Sequence, residues 1–136
     1  MTHRILQPEG WPRPRGYANG ISARGRQVHV AGQIGWDEHG ILVANDLVGQ
    51  TRQALRNILT ILKEDGARAE HLVRLTWFVT DRRAYLDAAA ALGEVYREVI
   101  GKHFPAMSAI EVSSLMEPGA QVEIEATAVV PEAIDN

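Results

Sequence analysis

From residue 27 to residue 34 the chain alternates. Val28, Val30, Gly32 and Ile34 fall on one side of an extended segment, and Gln27, His29, Ala31 and Gln33 on the other. A period of two predicts a β-strand with one face toward a core. A second extended stretch, residues 17–25, precedes it, and Arg24-Gly25-Arg26 supplies a tight turn, so the two stretches are expected to pair as a hairpin. From Leu47 the period changes to that of a helix. Leu47, Ala54, Leu55, Ile58, Ile61 and Leu62 recur on one side while Arg52, Arg56 and Lys63 fall largely on the other, with Asn45 or Asp46 as cap and Gly66 as stop.

The next strand, residues 71–80, has Val73, Leu75, Trp77 and Val79 on one face and Leu72, Arg74, Thr76 and Phe78 on the other. A single alanine-rich helix is expected from Tyr85 to Gly101. A short turn at His103-Phe104-Pro105-Ala106 then runs into a strand beginning near Met107. A last strand, residues 120–130, follows the turn around Glu117-Pro118-Gly119 and sets Val122, Ile124, Ala126, Ala128 and Val130 against Glu123, Glu125, Thr127 and Val129. The order β-β-α-β-α-β-β gives a single α+β domain, a mixed sheet with both helices on one face. The domain is expected over residues 17–131, after an irregular segment at 1–16 and before a tail at 132–136. Several strands carry apolar residues on both sides, so the face without helices is expected to be buried against copies of the chain.

Composition narrows the function classes. At 136 residues with 46% hydrophobic content, the chain is long enough for one ordinary core. A net charge of −3 argues against a nucleic-acid partner. The chain has no cysteine, which removes thiolate chemistry and disulfides. With no apolar run of signal-peptide or membrane-spanning length, a soluble cytoplasmic protein without membrane partners is expected. The five histidines, at 3, 29, 39, 71 and 103, lack metal-ligand spacing, so no metal is expected. There is no phosphate loop, no dinucleotide fingerprint and no serine-hydrolase elbow, and no cofactor is expected.

Taken in order, "GYANGI", "VHVAGQIGWDEHG", "QTRQALRNILTILKEDGA", "VRLTWFVTD", "FPAMSAIEV" and "VEIEATAVV" resemble the Rid family, the reactive intermediate deaminases also called YjgF/RidA. The resemblance implies a chorismate-mutase-like fold, a homotrimeric barrel with clefts between subunits, and cofactor-independent hydrolysis of enamines or imines to keto acids and ammonia. It also implies an arginine after the Pro-Ala pair to hold the substrate carboxylate. Here that residue is Met107, which has no donor and cannot replace a guanidinium. A serine often found before the Gly-Gln pair is Ala31, and an asparagine of the second helix has no counterpart.

Tyr17 and Glu123 do match the family, Glu123 as the group that would position or activate the attacking water. These two are the expected catalytic pair. Gly32 and Gln33 form the Gly-Gln pair, where a glycine lets backbone approach a ligand. Trp36, just beyond it, is expected to line an apolar pocket with Met107 and Ser108, whereas Trp77 is expected in the core or at a subunit interface. Arg15 stands two residues before Tyr17 and is a candidate substitute cation. Each residue has a plain structural alternative: a paired strand glutamate for Glu123, a capping ring for Tyr17, a packing glycine for Gly32 and solvated charge for Arg15. The leading expectation is a deaminase-type hydrolase for a substrate without the usual carboxylate anchor. The alternatives are a metabolite-binding trimer without catalysis and, last, an endoribonuclease.

Overall fold

A computed structural model describes residues 3–132. The chain runs β1 (Arg4–Leu6), β2 (Gly20–Ser22), β3 (Arg26–Gln33), α1 (Leu47–Lys63), β4 (Leu72–Val79), α2 (Arg82–Asp87), α3 (Ala89–Val99), β5 (Ala106–Glu111) and β6 (Val122–Val130). A four-stranded sheet in the order β3-β6-β4-β5 carries the fold, and a two-stranded sheet joins β1 to β2. β6 pairs antiparallel with both β3 and β4, and β5 runs parallel to β4 at the edge. This is the mixed α+β sheet that the periodicities predict.

α1 begins where its cap directs. Asp46 accepts a hydrogen bond from the Gly49 N–H, and the helix is followed by Gly66 at φ +71°. Its apolar stripe packs on the sheet with Val122, Ile124 and Ala126, forming one core with Leu72, Leu75, Trp77 and α3. Burial of Ala54, Leu55, Ile58 and Leu62 is complete, each worth about 1–3 kcal/mol for a full-sized aliphatic side chain. Ile61, expected on that stripe, is exposed, and Gln50 and Thr51 are buried instead.

Four expectations need correction. β2 does not form a hairpin with β3. It pairs with β1, in the N-terminal stretch expected to be irregular, while β3 takes β6 as its partner. Gly25 still makes the sharp approach, since a Cβ there would lie 2.2 Å from the Val130 carbonyl oxygen. The alanine-rich helix is two helices, opened early by the Asp81 cap on Ala84 and divided at Ala88. A bulge between Leu72 and Arg74 turns Leu72 into the core in place of Val73. A second bulge between Val30 and Gln33 turns Gly32 away from the face shared by Val28 and Val30. Most of the tail expected at 132–136, and the first two residues, lie outside the described residues.

Candidate functional site

A cavity of about 610 Å³ opens between α3 and the β5 edge. Its floor is aromatic. Trp77 stands edge-on to Tyr85 with centroids 6.4 Å apart and tilted to Tyr96 at 6.5 Å, and Tyr96 stacks on Phe104 at 5.4 Å. Met107 is half-buried in the same wall, level with Leu75 on the helix-covered face of the sheet. Burial raises the pKa of both Tyr85 and Tyr96 above the ordinary phenol value, so both hydroxyls stay neutral at physiological pH. The Tyr96 hydroxyl donates to the His103 carbonyl.

Tyr17 reaches this cavity because of a backbone clamp. The Ala18 N–H donates to Pro105 O at 3.0 Å, and Ala18 bridges Ala106 as a parallel partner. Gly16, at φ +78°, makes the turn that leaves both Arg15 and Tyr17 on the rim. Ser108 also lines the cavity, although its register with Thr76 places it on the opposite face of β5 from Met107. Four of the expected site residues, Arg15, Tyr17, Met107 and Ser108, therefore meet here. Trp77 meets them too, as wall and core at once.

Glu123, Gly32, Gln33 and Trp36 are elsewhere. Glu123 pairs with Phe78, which pairs with Ile110, so it sits on the face without helices, at the other end of the sheet from Met107. There it occupies the space that Gly32 leaves open, because a Cβ on Gly32 would lie 2.3 Å from Glu123 Oε2. Glu123 is half-buried and takes part in no ion pair among the described residues. The Trp36 indole N–H is 3.5 Å from Gln33 Oε1. Gln33 ends β3 and Trp36 lies in the loop that follows over α1, and neither lines the cavity. Within one chain, the glutamate corner and the aromatic cavity are thus separate.

Two residues of the motif-bearing helix hold that corner. Gln50, fully buried, donates to Ala44 O at 3.1 Å and Gly119 O at 3.0 Å and accepts from Gln121 N at 2.7 Å. Asn57 donates to Trp36 O at 2.8 Å and Ile34 O at 3.3 Å. The Gln-to-Asn spacing of seven residues thus fastens the loops that flank β3 and β6, two residues before Glu123. Sequence reasoning did not single out Arg97, Gly93 or Tyr85, which complete the cavity wall. An arginine on the polar side of a helix carries no signal of its own. Among the described residues no group of three or more His, Cys, Asp and Glu side chains is placed to hold a metal ion. No helix there is long and apolar enough to cross a membrane.

A single-domain α+β subunit with an open sheet face and an edge-strand cavity defines a class, and comparison with known proteins fixes which. The sequence profile of the family described as Endoribonuclease L-PSP matches residues 12–130, and the chain belongs to this family, which is the YjgF/Rid family. A RutC family protein of Pyrococcus abyssi is 37% identical over 130 residues, covering 94% of this chain and 98% of that one. A 2-iminobutanoate/2-iminopropanoate deaminase of Capra hircus is 36% identical over 130 residues, covering 95% and 91%. Among solved structures, the Rid-family protein YyfB of Yersinia pestis superposes with a TM-score of 0.85 at 33% identity, covering 96% of this chain and 100% of that one. TdcF of E. coli, solved with bound serine, gives 0.66 at 30% identity, covering 93% and 98%.

Proposed function

We propose that the chain is a cofactor-independent hydrolase of the imine or enamine deaminase type, working as a homotrimer in clefts between copies. The observation that carries this reading is the convergence of Arg15, Tyr17, Met107 and Ser108 on one cavity. The relatives named as 2-iminobutanoate/2-iminopropanoate deaminases and the amino-acid ligand of TdcF support small nitrogenous acids as the substrate class. The exposed sheet face and the unpaired edge of β5 beyond Ala106 are the surfaces a second copy would cover.

In this mechanism the imine lies over Met107 with Tyr17 donating to it, and the Gly32–Glu123 corner of a neighbouring copy closes the cleft. Gln33 and Trp36 come with that corner and flank the substrate there, beside the Gly32 backbone. Glu123 removes a proton from water as the oxygen–carbon bond forms and passes it to the imine nitrogen, giving the carbinolamine. The carbinolamine hydroxyl then gives its proton through Glu123 to nitrogen as the carbonyl forms and the carbon–nitrogen bond breaks. One imine and one water give one keto acid and one ammonia. Glu123 and Tyr17 are the proposed catalytic residues, with Ser108 and Arg15 at the mouth.

A second reading, a metabolite-binding trimer without turnover, is favoured by one observation: Met107 stands where the family arginine would hold a carboxylate. Ammonia release from freshly generated 2-iminopropanoate, 2-iminobutanoate and a bulkier aromatic imino acid decides between them, with native protein compared against Met107→Arg and buffer. Acceleration of any of the three by native protein supports the enzyme, and Met107→Arg is expected to shift preference toward the short acids. No acceleration by native protein with saturable binding of the keto acids supports the binding module.

A further inference from the structure

With Met107 in its wall, the cavity draws no cation from β5, and α3 supplies one. Arg97 lines the same cavity one helical turn after Gly93, and its Nη1 lies 3.5 Å from where a Gly93 Cβ would stand. Gly93 also lines the cavity, and a Cβ there would only touch the guanidinium at ordinary contact distance, so the exposed Arg97 lies along the wall at its open side. The ion pairs among the described residues engage Arg26, Arg52, Arg56, Arg68 and His39, and Arg97 joins none of them.

The remaining wall sets the shape of the ligand. Trp77, Tyr85, Tyr96 and Phe104 give an aromatic floor, and Met107 adds polarizable surface. The cavity, about 610 Å³, is far larger than a three-carbon imino acid fills and falls in the range of sites for ligands the size of an aromatic acid. Trp77, 5% exposed, also carries a buried Nε1–H with no acceptor. An unsatisfied buried donor costs about 1–3 kcal/mol, so packing rather than hydrogen bonding holds the indole in this wall.

We infer that Arg97 is the carboxylate anchor of this chain and that the cavity takes α-imino or α-keto acids with an aromatic side chain. The inference rests on the proposed deaminase reading for the chemistry, but its test reads binding alone. The guanidinium holds the carboxylate at the helix end of the cavity, the aryl group lies on the tyrosine and tryptophan rings, and Met107 is the apolar contact that a short substrate would not need. An arginine at 107 would compete for the same carboxylate, so its replacement by methionine and the placement of Arg97 belong to one change of specificity.

The test is calorimetric binding of 3-phenylpropanoate, 3-phenylpropanamide and propanoate to the full-length native protein, Arg97→Gln and Arg15→Gln. Glutamine keeps helix propensity, and unchanged melting temperatures would show that the fold is intact. Native protein should bind 3-phenylpropanoate well above propanoate. Arg97→Gln should weaken the aromatic carboxylate by about ten- to hundredfold, the loss of a charge-assisted pair, and leave the uncharged amide within about twofold. Equal affinity of native protein and Arg97→Gln for 3-phenylpropanoate overturns the anchor, as does a loss confined to Arg15→Gln. Propanoate bound as tightly as the aromatic acid, or no binding of either by native protein, overturns the ligand class. Imine turnover with Arg97-independent binding sinks this inference alone, whereas Arg97-dependent binding without ammonia release sinks the deaminase reading alone.

Discussion

The aromatic cavity and the glutamate corner are built on opposite principles. In the cavity, Trp77, Tyr96 and Leu92 are walls and core residues at once, so shape and stability are the same side chains. At the corner, the proposed functional group is one half-buried carboxylate, placed by a glycine, a strand bulge and a glutamine that binds only backbone. Specificity in the first can change only through substitutions that the core tolerates. Chemistry in the second can be altered with little cost to the fold. Met107, half-buried in the cavity wall, is at a position of the first kind.

Trp77 gives the largest expected effect. Trp77→Ala removes a 5%-exposed indole from the core and should cost about 3–5 kcal/mol in denaturant unfolding. Trp77→Phe should cost far less than that truncation, because it also removes the donor that lacks an acceptor. If the two variants are equally destabilised, the indole N–H is satisfied in solution and contributes to holding the wall in place.

Gly32→Ala comes next. Its Cβ would strike the Glu123 carboxylate, so either the strand shifts or the carboxylate swings out, at about 1–3 kcal/mol. In a Glu123→Ala background the same substitution should be nearly neutral, a coupling of about 0.5–3 kcal/mol in a double-mutant cycle. Additive effects would mean that the two residues do not touch, and the corner would lose its definition.

Much of this comparison is legible in the sequence, and the gaps have physical causes. Alternation and helical spacing identify β3, α1, β4 and β6, because burial on one face imposes them. Bulges break that arithmetic: one extra residue sends Gly32 to the glutamate's face and Leu72 into the core, and no local pattern announces either. Pairing partners are equally invisible locally, so β2 finds β1 rather than the neighbour across Gly25. At the site, Tyr17, Met107, Arg15 and Ser108 line one cavity, Trp77 is in the core as expected and lines that cavity as well, and Trp36, expected in the pocket, is not there. Trp77 lines the cavity and Trp36 lies over α1, since position along a strand does not reveal which elements close over it. Arg97 carries no local signal, since an exposed arginine on a helix reads as solvated charge.

The cavity and the corner should also differ in alkali. Burial raises the pKa of Tyr85 and Tyr96, so their neutral forms stabilise the fold fully below the unfolded value of 10.0, and that contribution is lost as pH rises above it. Melting temperature should therefore fall above pH 10.0. Tyr96→Phe should cost about 0.5–1.5 kcal/mol at neutral pH, from the lost bond to His103 O, and should flatten the alkaline fall. An unchanged alkaline limb would place that titration outside the cavity.

The smallest expected change in stability is also the most informative for chemistry. Glu123→Gln keeps the side chain's size, breaks no ion pair among the described residues and should stay within about 0.5 kcal/mol of native in urea. If the corner supplies the general base, the same substitution should lower imine hydrolysis by about a hundred- to ten-thousandfold while leaving binding of an aromatic carboxylate unchanged. Turnover equal to native would remove Glu123 from the mechanism. Lost binding would mean that the glutamate helps to hold the ligand rather than to activate water. Because the two half-sites lie on opposite faces of one subunit's sheet, inactive Glu123→Gln mixed with inactive Tyr17→Phe should also regain part of the native rate once subunits exchange. That recovery requires one copy to lend its carboxylate to another copy's cavity, and its absence would confine the chemistry to a single subunit, where these residues do not meet.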